Sequence, residues 1–252
     1  MRLGAIHRPA PPAIRPLAER ASLSLMTAPA SCDWHAACPA DGDMLGNDRF
    51  GDCVPVAELR AIQMRRAVVG RDAWKPAAAR ALELYEALTG FNPATGQPDR
   101  GTDTALAMQA WCASGVWINS QDVDVVRWAS VDPARLDHTR LAVAHTGPVQ
   151  VTLALPLAAQ DVAVWAEAPG FGPAWAAGSW GCHRVICGKY DAAGLTVRTW
   201  GQDVPMSLPF WRAFVVAVDA ALSREWLDTT GLAPSGLDWA ALQADMEALQ
   251  ES

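Results

Sequence analysis

Asn47-Asp48-Arg49-Phe50-Gly51-Asp52-Cys53 and, about 130 residues later, Gly181-Cys182-His183 are the two stretches on which the reading of this chain turns. The first leads into Val54 to Met64, whose apolar residues recur at helical spacing. Asp52 is a favoured N-cap type, and Pro55 falls in the first turn, where a missing N–H does little harm. Cys53 is therefore predicted at a helix N-terminus, where outward-pointing N–H groups and the positive end of the dipole favour the thiolate. His183, opening a later strand, supplies the kind of base a thiol nucleophile needs. A buried apolar role is the commoner use of a free cysteine, and the chain has six, so the choice rests on further segments.

Composition bounds the classes. Apolar residues make up 51% of the 252 and charged residues 19%, as in a compact protein of one domain or two lobes. The net charge is −7 and the basic residues are nearly all arginine, which argues against a nucleic-acid partner. No apolar run approaches the roughly 18 residues of a membrane span. Leu23-Ser24-Leu25-Met26 is too short for a signal core and follows Pro9, Pro11, Pro12 and Pro16, so a cytoplasmic location is expected. The cysteines at 32, 38, 53, 112, 182 and 187 contain no CxxC and read as free thiols, although Cys32 and Cys38 are near enough in sequence to bridge. Asp33, His35, Cys38, Asp41 and Asp43 cluster without a second ligand pair, so neither a metal nor another cofactor is expected. The twelve tryptophans are assigned to core and inter-lobe packing.

The pattern divides the chain. Residues 1–30 form a basic, proline-rich arm with Arg2, Arg8, Arg15 and Arg20 against Glu19, expected to be extended and docked against a surface. Residues 45–128 read as helical, with helices over Pro76 to Thr89 and Asp103 to Ser114. Residues 149–222 read as strands, with a hairpin from Val185 to Trp200 turning at Asp191-Ala192-Ala193-Gly194. Residues 223–252 form an acidic tail, with a helix from Leu237 to Leu249 burying Trp239, Leu242 and Met246. The fold class is α+β, with a helical lobe carrying the cysteine and a sheet lobe carrying the histidine.

Four segments, in order, resemble the papain-like cysteine peptidases. Asn47 stands six residues before Cys53, where that family has an amide side chain, usually glutamine, that donates into the oxyanion hole. Leu141 to Val151 is similar to its helix, Gly-Pro turn and first barrel strand, and Gly178 to Asp191 to its histidine strand. Val197-Arg198-Thr199-Trp200-Gly201 is similar to its Asn-Ser-Trp-Gly strand. The resemblance covers roughly residues 45–215 and implies a papain-like domain over 31–222.

It also implies a cysteine hydrolase, a peptidase or amidase, acting on a peptide or amide substrate in the inter-lobe cleft. Cys53 would be the nucleophile, His183 the base and Asn47 an oxyanion donor. The chain departs from the family at Arg198, which stands where the histidine-orienting asparagine is expected. Arginine only donates, so Thr199 is assigned to His183 instead, with Trp200 packed nearby. Arg184 follows the histidine, and with Arg198 it is expected to disfavour the imidazolium. A second reading comes from similarity to phage and prophage proteins sharing the Asn-Asp-Arg-aromatic-Gly-Asp-Cys segment. It implies a virion or assembly protein on the same scaffold, virion-associated and holding its neighbours through the N-terminal arm.

Overall fold

Cys53–Val68 forms a 16-residue helix, α1, and it is buried on nearly every side. Glu58, Arg60 and Arg65 are as inaccessible as its Val54, Leu59 and Ile62, which is why the polar and apolar faces are hard to separate in its sequence. In the computed structural model, residues 1–12, 14, 16–17, 26–71, 74–118, 121–123, 125–160, 165 and 170–248 are described. Arg15, Glu19 and Arg20 of the arm, Leu23 to Leu25 and the terminal Leu249 lie outside them.

Two further helices pack beside α1. Ala78–Thr89 (α2) ends at Gly90, whose φ of +72° closes the helix in the left-handed region that glycine reaches without strain. Thr104–Ser114 (α3) starts at Asp103, whose side chain accepts from the N–H groups of Ala105 and Leu106. The helical character expected up to residue 128 stops at Ser114. Val116–Ile118 and Gln121–Val123 pair as a small hairpin, and Val125–Val131 joins the main sheet. Valine-rich sequence favours strand there, and pairing with Val215–Ser223 settles it.

Numbered along the chain, the strands are β1 (Ala5–Ile6), β2 (Cys32–Asp33), β3 (Thr102–Asp103), β4 (Val116–Ile118), β5 (Gln121–Val123), β6 (Val125–Val131), β7 (Val149–Leu155), β8 (Gly181–Tyr190), β9 (Gly194–Thr199), β10 (Gln202–Ser207) and β11 (Val215–Ser223). The main sheet has the order β10-β9-β8-β7-β11-β6, with β2 against the end of β8. Its pairings are antiparallel. Leu136–Thr146 (α4) and Leu208–Phe214 (α5) pack on the sheet, and α4 leads through Gly147, φ +84°, into β7. A core of Val151, Leu153, Leu155, Val185, Trp165, Trp211 and Trp226 fills this lobe.

The polar Gln150 and Thr152 of β7 are both fully buried. They belong to a network that joins the lobes. Arg184 Nε donates to Gln150 Oε1 at 2.6 Å, and Arg184 Nη1 donates to Thr152 Oγ1 at 2.9 Å and Asp219 Oδ2 at 2.7 Å. Gln150 Nε2 donates to Glu58 of α1, and Trp128 Nε1 to Asp219 Oδ1 at 2.8 Å. Buried polar groups are stable only when so paired.

The tail helix α6 spans Trp239–Ala248, two residues later than expected, with Asp238 Oδ1 accepting from Ala241 N–H. Leu242 is buried and Trp239 half-buried, while the Met246 side chain lies outside the described residues. The arm departs from expectation too. Ala5–Ile6 is a strand paired in parallel with Thr102–Asp103 and packed against β8, where the proline-rich pattern predicts no regular secondary structure. All six cysteines are free thiols. Among the described residues no helix is long and apolar enough to cross a membrane.

Candidate active site

Cys53 is the first residue of α1, and its thiol is 1% exposed. Asp52 holds the N-cap position without capping through its side chain, contrary to expectation. Its carboxylate is drawn instead to Asn47, whose Nδ2 donates to Asp52 Oδ1 at 3.2 Å and to Phe50 O at 3.0 Å. Both amide hydrogens of Asn47 are thus spent inside the loop that precedes the cysteine. Asparagine is one methylene shorter than glutamine, so it reaches its own loop more readily than an oxyanion beside the thiol. The expected aim of Asn47 into the cleft is not met in this structure.

Main-chain N–H groups of Arg184 and Gly4 approach the Cys53 sulfur. Arg184 follows His183 in β8, so the fold sets the thiol against the histidine's strand. His183 Nε2 lies 2.6 Å from Thr199 Oγ1 across the β8–β9 hairpin. Trp200 stacks on the imidazole with centroids 4.3 Å apart and planes at 10°. His183 Nδ1 is buried and, among the described residues, lacks a hydrogen-bond partner. Thr199 rather than Arg198 faces the histidine, and alternation along the strand sends Arg198 to the other face.

Trp200 and Gly201 have φ of +46° and +71° and make the tight turn between β9 and β10. Two positive φ angles match the twist of paired strands, but tryptophan rarely takes one. Stacking against His183 and Trp180, with an edge-on contact to Trp165, offsets that strain.

The two arginines do not flank the imidazole. Arg184 points into the inter-lobe network, and Arg198 forms a bidentate pair with Asp203 at 2.8 and 3.0 Å. Asp203 also meets His35 Nδ1 at 2.9 Å. Of the other residues weighed as metal ligands, Asp33 pairs with Lys189, and Asp41 with Arg60 and Lys75. Burial alone pushes His183 down to about 3 and is the main cause that pushes the Cys53 thiol up to about 12. Both groups are therefore neutral in this closed state, and the cause is desolvation rather than a neighbouring cation.

The arm adds to the burial of the thiol. Arg2 N–H donates to Asn47 O at 3.0 Å, Gly4 N–H is directed at Cys53, and Thr102 N–H donates to Gly4 O at 2.7 Å. A methyl group on Gly181 would lie 3.0 Å from the Leu3 side chain, and His7 N–H reaches the Cys182 sulfur. Met1 lines a cavity of about 70 Å³ with Trp165, Thr199 and Trp200. The first eight residues thus run the length of the inter-lobe cleft over the thiol. Sequence reasoning missed this placement, together with Asp99 and Gly101, which help to hold the arm. Only the opposite charges of arm and body hinted at it.

No family model matches the sequence, and no curated protein matches it. Solved structures do match in shape. Xylellain, a cysteine protease from Xylella fastidiosa, superposes with a TM-score of 0.61 at 14% identity, over 87% of this chain and 95% of that one. Procathepsin B S9 from Trypanosoma congolense superposes with a TM-score of 0.57 at 12% identity, over 88% of this chain and 86% of that one. The chain has the papain-like fold, an α+β fold of helical and antiparallel-sheet lobes.

Proposed function

We propose that the chain is a papain-like cysteine hydrolase, with Cys53 as nucleophile and His183 as base, held closed by its own N-terminal segment. The observation that carries this reading is a helix-initial cysteine approached by the main-chain N–H of Arg184, the residue after His183, whose Nε2 is held by Thr199. A hydroxyl accepting from Nε2–H leaves Nδ1 as the nitrogen able to take the thiol proton. The helix dipole and the helix-initial N–H at Cys53 then favour thiolate and oxyanion alike. Xylellain's description as a cysteine protease supports the same chemistry. In this role Asn47 orders the nucleophile loop, and it donates to an oxyanion only if that loop opens.

The bond attacked is an amide, in a peptide or another acyl compound. The thiolate adds to the acyl carbon, His183 returns the proton to the leaving nitrogen, and water releases the acyl group. The test is alkylation by iodoacetamide, with the modified cysteine mapped by mass spectrometry. It uses the full-length chain and an Arg2→Ala/Arg8→Ala variant that loosens the arm. Cys53 should react faster than the partly exposed Cys112 and Cys182 in the loosened variant, and His183→Ala should abolish that advantage. Equal, His183-independent rates would leave the fold as a scaffold and favour the assembly reading.

A further inference from the structure

We propose that the inter-lobe cleft is a recognition groove for an extended basic peptide. The ligand carries glycine opposite Cys53, arginine two residues before it and arginine four residues after it. Residues 2–8 are its resident occupant. The proposal deepens the hydrolase reading, because it takes the same cleft as the binding site.

Shape supplies the glycine. A methyl group on Gly4 would lie 1.9 Å from the Gly51 carbonyl oxygen, and one on Gly101 would lie 2.3 Å from the Gly4 oxygen. Gly101 also has φ of +79°, a conformation that glycine adopts freely. Two glycines of the body thus close around a third in the occupant. The obstacles are backbone atoms, which cannot turn aside as a side-chain tip can.

Charge supplies the arginines. Asp99 Oδ1 accepts from Gly51 N–H at 2.9 Å and from the Tyr85 hydroxyl at 2.8 Å, leaving Oδ2 for Arg2 at 3.2 Å. Asp103 Oδ1 caps α3 and leaves Oδ2 for Arg8 at 3.3 Å. Each carboxylate is fixed by one oxygen to the body of the protein and offers the other to the groove. The acceptors are therefore set by the fold, not by the arm. Between them Thr102 N–H takes the Gly4 carbonyl.

The occupant's Gly4 N–H faces the sulfur while the Gly4 carbonyl is turned to Thr102, which holds the glycine in place over Cys53.

The test uses the full-length chain carrying Arg2→Glu and Arg8→Glu, which repels the arm from Asp99 and Asp103. The probe is a fluorescein-labelled octapeptide of the sequence of residues 1–8, followed by anisotropy. Binding is expected to this variant and at least about tenfold weaker to the wild type, whose groove is filled. Replacing the peptide's glycine with alanine should abolish binding. Replacing either peptide arginine with glutamate, or Asp103→Asn in the protein, which keeps the α3 cap, should weaken it about three- to tenfold, more so at low salt. Full-length Gly4→Ala, which expels the arm sterically, is a second receptor should the double variant not fold. Equal binding of the glycine and alanine peptides, or no binding to either receptor, overturns the proposal. Peptide binding that persists in a Cys53→Ala background, beside an unreactive Cys53, would sink the hydrolase reading and leave the groove standing.

Discussion

The His183 imidazole Nε2 sits 2.6 Å from Thr199 Oγ1, a hydroxyl serving where papain-like sites are expected to use an amide oxygen. That contact fixes the ring's tilt and leaves Nδ1 free of partners among the described residues. Thr199→Val keeps the shape and removes the acceptor. The rate of Cys53 alkylation in the arm-loosened variant should fall about 10- to 100-fold, since a hydrogen bond to a group that becomes charged contributes on the order of 1.5–3 kcal/mol. Thr199→Asn should recover part of it. An unchanged rate in Thr199→Val would mean that the contact only packs the ring.

Trp200 is held at positive φ by what it covers. Trp200→Gly relieves the backbone but loses the indole contacts, so a net destabilisation of about 2–3 kcal/mol is expected in urea unfolding. Losing that cover also admits water to His183. Its pKa should rise from about 3 toward the ordinary histidine value, which NMR titration of the ring would report.

Asp52 and His183 oppose each other in their effect on stability with pH. Burial raises the Asp52 carboxyl from 3.8 to about 7, against the lowering hydrogen bond from Asn47. The folded state therefore holds this proton more tightly than the unfolded chain, and stability from Asp52 is present at low pH and lost as pH rises toward 7. His183 is lowered from 6.5 to about 3, so the unfolded chain binds its proton more tightly and stability is lost as pH falls below 6.5. The two slopes largely cancel between about pH 4 and 6.5. Asp52→Asn should raise the Tm at pH 8, by an amount on the order of 3 kcal/mol in stability, and leave it nearly unchanged at pH 4. The variant should then show a steeper acid decline than the wild type, carried by His183. Parallel pH profiles for the two proteins would show that Asp52 is already ionised in the fold.

Arg184 is fully buried and its charge is balanced by Asp219. Asp219→Ala strips that partner and leaves Trp128 Nε1 without its acceptor. A loss of about 3–5 kcal/mol is expected in chemical denaturation. Arg184→Met/Asp219→Leu should cost less than Asp219→Ala alone, because no uncompensated charge remains in the core. A double variant as unstable as the single one would mean that the network's value lies in its hydrogen bonds to Gln150 and Thr152.

Local chemistry determined what could be read from one stretch at a time. Helical spacing after Cys53, the Gly90 stop, the Asp103 start and the hairpin around Asp191 to Gly194 all depend on residues a few positions apart. The ordered motifs carried the α+β papain-like fold, and arginine's lack of an acceptor was enough to choose Thr199 over Arg198. The end of the helical lobe was misplaced because Val125–Val131 becomes a strand by pairing with β11, a partner about 90 residues away. Only the tertiary structure decided where long polar side chains and the arm would go. Gln150 and Arg184 have the composition of surface residues and are buried because α1 and β11 bring Glu58 and Asp219 to them. Asn47 has the spacing of an oxyanion donor, but its amide closes on Phe50 and Asp52, and no spacing rule encodes that distance. The arm lies over Cys53 because Gly51 and Gly101 leave a gap one glycine wide between two acids. That fit depends on backbone surfaces that exist only once the lobes have met.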